Sequence, residues 1–99
     1  MRFYISGAIS SLEYREALEN FQQIEDRLLS LGVSKSNIFN PMTEIDPTLP
    51  YRVQMDLCLA NLERCDVIIM QNNWTESPGA REEMTSALKQ DIIVRYDIS

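Results

Sequence analysis

The chain has 99 residues, 44% of them hydrophobic, and a formal net charge of −6. That length holds one domain with one core, and the acidic balance argues against a nucleic-acid partner, whose phosphates need a Lys/Arg surface. With no histidine, Ser-His-Asp and Cys-His mechanisms are ruled out, and two lone cysteines make no zinc site. No apolar run approaches the roughly 20 residues of a membrane span. The N-terminus carries a short strand-like run rather than a signal-peptide core, so a cytoplasmic protein with no membrane partner is expected.

Arg2-Phe3-Tyr4-Ile5-Ser6 reads as a first strand, followed by a turn at Gly7-Ala8-Ile9. Ser10 and Glu13 have capping-box spacing and open a helix. Its apolar positions Leu18, Phe21, Ile24, Leu28 and Leu31 keep a helical period, and Gly32 ends it as a C′ residue. The turn at Gly7 is either a plain connection or part of a nucleotide site. It lacks both the dinucleotide fingerprint and the GK[ST] of a P-loop.

Asn37–Asn40 makes a second strand stopped by Pro41. Pro41–Pro50, with three prolines, Glu44 and Asp46, reads as a loop, functional or merely connecting. Thr48 is placed to cap the next helix, with Pro50 in its first turn, and that helix runs to about Arg64. Val53, Met55, Leu57, Cys58, Leu59, Ala60 and Leu62 make it apolar on most sides, where packing on a sheet needs one stripe. Either a second subunit or the long loop covers the extra side. Cys58 and Cys65 lie two turns apart on this segment, so their Cα atoms are about 10 Å apart, too far for a disulfide.

Asp66–Gln71 is a continuous apolar third strand, as buried parallel strands are. The polar stretch Asn72–Glu83 then leads into a helix lasting to about Gln90. Ser77 suits its N-cap and Pro78 its first turn. Ala80 stands where a capping box would place Glu or Gln, which leaves first-turn N–H groups, Gly79's included, open to an anion. A plain strand-to-helix turn is the other reading. At roughly 100° per residue, Ala80, Met84, Ala87, Leu88 and Asp91 share one side of this helix. Glu83 stands at the edge of that stripe, and Glu82 points away as a solvated charge. Ile92–Tyr96 is the last strand.

Helices alternating with strands imply an α/β domain over residues 1–99, a small flavodoxin- or Rossmann-like three-layer fold. Its four-stranded sheet is expected to be parallel, in the order 2-1-3-4. Strands one and three are then neighbours, and the loops that leave them meet at the switch point, where such folds bind ligands.

The pattern Tyr4-Ile5-Ser6-Gly7, Cys65-Asp66-Val67-Ile68, Trp74 and Ser77-Pro78-Gly79-Ala80-Arg81-Glu82-Glu83 resembles the nucleoside 2-deoxyribosyltransferase superfamily, above all its small bacterial and phage members. The similarity covers nearly the whole chain. Its most specific part is Ser-x-Gly-x-x-x-Glu, here Ser77, Gly79 and Glu83. The resemblance implies that Glu83 is the nucleophile that attacks the sugar C1′. It also implies that Ser77 and Gly79 bind the 5′ side of the sugar, or its phosphate as in the nucleotide hydrolases, and that Gly7, Ala8 and Ile9 line the base and sugar pocket, with Trp74 in the substrate-binding set. Active family members carry an Asp on the preceding helix, and counting back from Asp66 that position is Cys58. Asp56 lies roughly 200° around the helix from it. Asp66 opens its strand at the far end of the sheet, while Glu44 and Asp46 lie at the right end to supply a second acid.

The expected activity is cleavage or transfer at the N-glycosidic bond of a (deoxy)nucleoside or nucleotide, through a glutamate nucleophile and with no cofactor or metal. The alternative is a module that binds a nucleotide or related metabolite without turning it over. A third reading, a partner-binding subunit without ligand, follows from the apolar helix alone. A homodimer or higher homo-oligomer is expected, in which, by the same resemblance, a neighbouring subunit completes the active site.

Overall fold

A computed structural model describes residues 1–96. The strands are β1 (Phe3–Ser6), β2 (Ile38–Phe39), β3 (Val67–Met70) and β4 (Ile93–Tyr96). The helices are α1 (Tyr14–Ser30), α2 (Pro41–Glu44), α3 (Tyr51–Leu62) and α4 (Pro78–Lys89), with single 3₁₀ turns at Lys35–Asn37 and Trp74–Glu76. The strands form one sheet in the order β2-β1-β3-β4, and every neighbouring pair is parallel. The α/β architecture and strand order are those expected from the alternation of helices and strands.

Successive strand residues point to opposite faces, and the two faces carry two cores. Tyr4, Phe39, Ile68 and Met70 pack with α3 and α4 through Cys58, Leu62, Met84 and Ala87. Ile5 and Ile38 pack with α1 through Ala17, Phe21, Ile24 and Leu28, and with Met42 of α2. Tyr4 and Phe39 stack at 5.2 Å between centroids. The register Ser6↔Met70 brings the C-terminal ends of β1 and β3 level. Among the described residues no helix is long and apolar enough to cross a membrane. Cys58 and Cys65 are free thiols.

Several local expectations are corrected. The Ser10–Glu13 capping box does not form. Glu13 itself precedes α1 and makes no side-chain cap. The Leu12 N–H instead closes a turn on the Ile9 carbonyl at 3.1 Å, and Leu12 packs against the α1 core. That turn uses the residues the box needed. Leu31, expected on the apolar stripe, is 64% exposed because α1 has already ended. Gly32 (φ 93°) follows it, and the Val33 N–H reaches back to the Leu28 carbonyl, a Schellman closure. α4 ends the same way, with Asp91 at φ 56° and the Ile92 N–H on the Ala87 carbonyl. Ile92 is therefore buried, while Leu88 is exposed.

Pro41–Pro50 is not all loop. Asn40 accepts a hydrogen bond from the Met42 N–H at 3.0 Å and Pro41 takes the first helical position, so one turn, α2, begins there. Asn40 is fixed on its other side by Glu25, a buried carboxylate of α1 that accepts from its amide at 3.4 Å. Thr48 does not cap α3. Its N–H and hydroxyl both donate to Asp46, and Pro50 precedes the helix. On α3, Met55, Cys58 and Leu62 are buried. Val53 and Leu57 stay 42% and 41% exposed, so the preceding loop does not cover the second apolar side.

Candidate functional site

The site is assembled by strand parity and by one helical turn. Tyr4 and Ser6 are two residues apart, so both side chains point to the α3–α4 face. Ser77 caps α4 by accepting the Ala80 N–H at 3.2 Å. Glu83, six residues or about one and two-thirds turns further on, comes down over the C-terminal end of β1. It is only 6% exposed, well inside the stripe at whose edge the helical wheel placed it. The Tyr4 hydroxyl donates to Glu83 Oε2, and the Ser6 hydroxyl donates to Oε1 at 2.6 Å. Burial raises the Glu83 carboxyl to about 7, against the partial opposition of the Ser6 and Tyr4 hydrogen bonds. Tyr4 is itself pushed well up, first by burial and then by the charge of Glu83. Burial also raises Cys58 to about 11, so at neutral pH it is a thiol and no nucleophile.

Above Glu83 opens a cavity of about 260 Å³, near the lower end of the range for small-ligand sites. Five of the expected residues line it: Gly7, Ile9, Ser77, Gly79 and Glu83. Ala8 and Trp74 do not. Ala8 is buried, and its N–H donates to Asn73 Oδ1 at 3.0 Å, tying the loop after β1 to the loop after β3. Trp74 sits in the 3₁₀ turn and packs against the core around Tyr4. Gly7 is required by a close approach. A Cβ there would lie 2.5 Å from Cδ of Gln71, the buried residue that follows β3.

The carboxylates proposed as a second acid are elsewhere. Glu44 and Asp46 are exposed, and Asp46 is turned onto its own Thr48. Asp56 pairs with Arg52 at 3.1 Å on the outside of α3. Asp66 accepts the Arg2 N–H at the N-terminal end of the sheet. Cys58, at the position where the resembled family has its Asp, does line the cavity. Glu83 is thus the one carboxylate among the lining residues, and no Lys or Arg joins it. Among the described residues, no cluster of three His, Cys, Asp or Glu could hold a metal.

The open anion nest expected at α4 is also reduced. Pro78 has no N–H, and those of Ala80 and Arg81 are taken by the Ser77 hydroxyl and carbonyl. That leaves the N–H of Gly79. Glu82 is not simply solvated either, because it accepts two bonds from the Arg52 guanidinium, at 2.8 and 3.3 Å.

A family model described as a domain of unknown function, DUF4406, matches residues 1–96. The chain belongs to the DUF4406 family. No match was found among curated proteins or among solved structures. In this DUF4406 domain the residues that hold Glu83, namely Tyr4 and Ser6, escaped the reading of the sequence as functional groups. The signal was present as parity, since two hydroxyl side chains in register on a buried strand must both face the same covering helix. Tyr14, Tyr51, Gln54 and Met55 also line the cavity, and they carry no motif by which a sequence pattern would find them.

Proposed function

We propose that this DUF4406 protein cleaves or transfers at the N-glycosidic bond of a (deoxy)nucleoside or nucleotide. The observation that carries the reading is Glu83, a buried carboxylate at the switch-point crevice with both oxygens held by hydroxyls of β1. The resemblance of Ser77, Gly79 and Glu83 to the nucleoside 2-deoxyribosyltransferase motif supports the same residue. In the reaction an ionised Glu83 oxygen bonds to C1′ as the C1′–N bond breaks, and the base leaves with the bonding electrons. Water or a second base then displaces the glutamyl ester. The hydroxyls of Tyr4 and Ser6 orient the attacking carboxylate. A raised carboxyl at about 7 leaves a substantial ionised fraction at neutral pH.

With one carboxylate in the cavity, the leaving base draws its proton from solvent, and turnover is expected to be slow. The cavity's charge favours the neutral nucleoside over its 5′-phosphate, since a phosphate would meet one backbone N–H and no cationic side chain. The same single carboxylate favours a second reading, a module that binds a nucleoside without cleaving it. The exposed Val53 and Leu57 on α3 support a homo-oligomeric assembly through that helix.

Base release from a panel of nucleosides and monophosphates, followed by chromatography, tests the proposal. Wild type should release base and Glu83→Ala should not, while Glu82→Ala should retain most activity. Equal release by wild type and Glu83→Ala would end the enzymatic reading. Intact binding with no release by any variant would leave the binding module.

A further inference from the structure

We propose that Tyr14 and Tyr51 clamp the flat ring of the ligand across the mouth of the cavity. The inference rests on the reading of this site as one for nucleosides, and adds which residues recognise the base. Tyr14 is the first residue of α1 and Tyr51 the first of α3. These helices pack on opposite faces of the sheet, so the two tyrosines reach the crevice from opposite sides. Both line the cavity, yet they stay 54% and 53% exposed. A tyrosine placed for packing buries its ring, because that ring is most of its hydrophobic area. Two half-exposed rings lining one cavity are surfaces awaiting a partner.

Their position relative to Glu83 is fixed on the α3 side. A Cβ on Gly79 would come 3.1 Å from the Tyr51 hydroxyl and 3.2 Å from the sulfur of Met55. The bare glycine therefore lets the start of α3 close onto the start of α4, about one turn before Glu83. The cavity then has one carboxylate, Glu83, held by hydroxyls from beneath, and two tyrosines on its exposed rim. A ligand that matches it carries a polyhydroxylic part for the carboxylate and an uncharged flat heteroaromatic ring for the rim. Offset stacking of that ring on a tyrosine face needs no particular pattern of donors and acceptors. The clamp thus selects for a ring and discriminates weakly among bases.

Calorimetry with nucleosides on the Glu83→Gln protein, which binds without consuming the ligand, tests the clamp directly. Tyr14→Ala and Tyr51→Ala should each weaken nucleoside binding about tenfold, whereas Tyr14→Phe and Tyr51→Phe should keep it within about twofold. A base-free deoxyriboside should bind all variants equally weakly. Both tyrosines are exposed, so the variants should unfold at the wild-type temperature, which checks that the losses are local. Wild-type affinity in both Ala variants would overturn the clamp, as would Phe variants as weak as Ala. Base release in wild type separates the two readings. Release with tyrosine-independent binding removes the clamp alone, and tyrosine-dependent binding without release removes the chemistry and keeps the clamp. No binding of any nucleoside to wild type overturns both.

Discussion

The two faces of the sheet are built by the same strands and hold different chemistry. On the α1 face, Ile5, Phe21, Ile24 and Leu28 make an apolar core. On the α3–α4 face the neighbouring strand residues Tyr4 and Ser6 hold Glu83 out of water, with Cys58 alongside. Burying a carboxyl is costly unless it is hydrogen-bonded or neutralised, and here both happen, through two hydroxyls and a raised affinity for its proton. The α3–α4 face also has an apolar core in Phe39, Leu62, Ile68 and Met70, so the difference between the faces lies at the C-terminal end of β1. On β1, strand alternation turns Ile5 to the apolar core and Tyr4 and Ser6 to the carboxylate.

The contrast can be sharpened most by adding what the chemical face lacks. Cys58→Asp places a second carboxyl in the cavity and, on the proposed mechanism, should raise base release by about 10²- to 10⁴-fold, the usual contribution of a general acid. No gain with a folded variant would argue against a glycosidic step. Ile24→Ala breaks the other face away from the cavity. It should cost about 2–5 kcal/mol in denaturant unfolding, as large-to-small changes of a buried aliphatic side chain do, with the intrinsic activity of the folded fraction little changed. A stability loss below about 1 kcal/mol would mean that this face is not the main core.

The third expected effect is on pH. Glu83 binds its proton more tightly in the folded chain, at about 7 against an ordinary 4.5. Its contribution to stability is therefore fully present below about 4.5 and is lost as pH rises through about 7. Over that window wild type should lose about 3 kcal/mol relative to Glu83→Gln. On the proposed mechanism activity should move the other way, rising through about 7 as the nucleophile ionises. A stability difference flat in pH would contradict the raised carboxyl. The smallest effect belongs outside the crevice, where Arg52 pairs with Glu82 and Asp56 at the surface. Arg52→Ala should leave the same unfolding curves almost unchanged, because solvent screens an exposed pair, with base release unchanged.

The sheet was legible because each of its determinants is local and periodic. Apolar β3 and the helical stripes of α1 and α4 sufficed to give the strand order, and the wheel of α4 separated Glu83 from Glu82. What failed was mostly punctuation. Asn40-Pro41 reads as the end of a strand, although Asn followed by Pro is also an N-cap with its first helical residue, and the structure uses it so. Ser10 and Glu13 have capping-box spacing, but the Leu12 side chain decides otherwise by packing against the core. Leu88 has the right angle on the helix and loses its place because the chain reverses at Asp91 and offers Ile92 instead. The lining residues from α1 and α3 depend on where four separate segments converge, and no local pattern records that. The separation of Glu44 and Asp46 from the cavity is of the same kind, since proximity in the chain to the right end of the sheet does not set which way a side chain turns.

The shortest strand has a kinetic consequence. β2 contributes two residues at an edge of the sheet, yet Pro41 and Met42, one residue beyond it, form part of a wall of the cavity. Opening free energies are lowest where few backbone bonds hold a segment. The amides of residues 38–44 are therefore the part of this wall that exchanges with solvent before those of β1 and β3. α4, pinned at Glu83 by two hydroxyls of the central strand, is held more firmly than this edge.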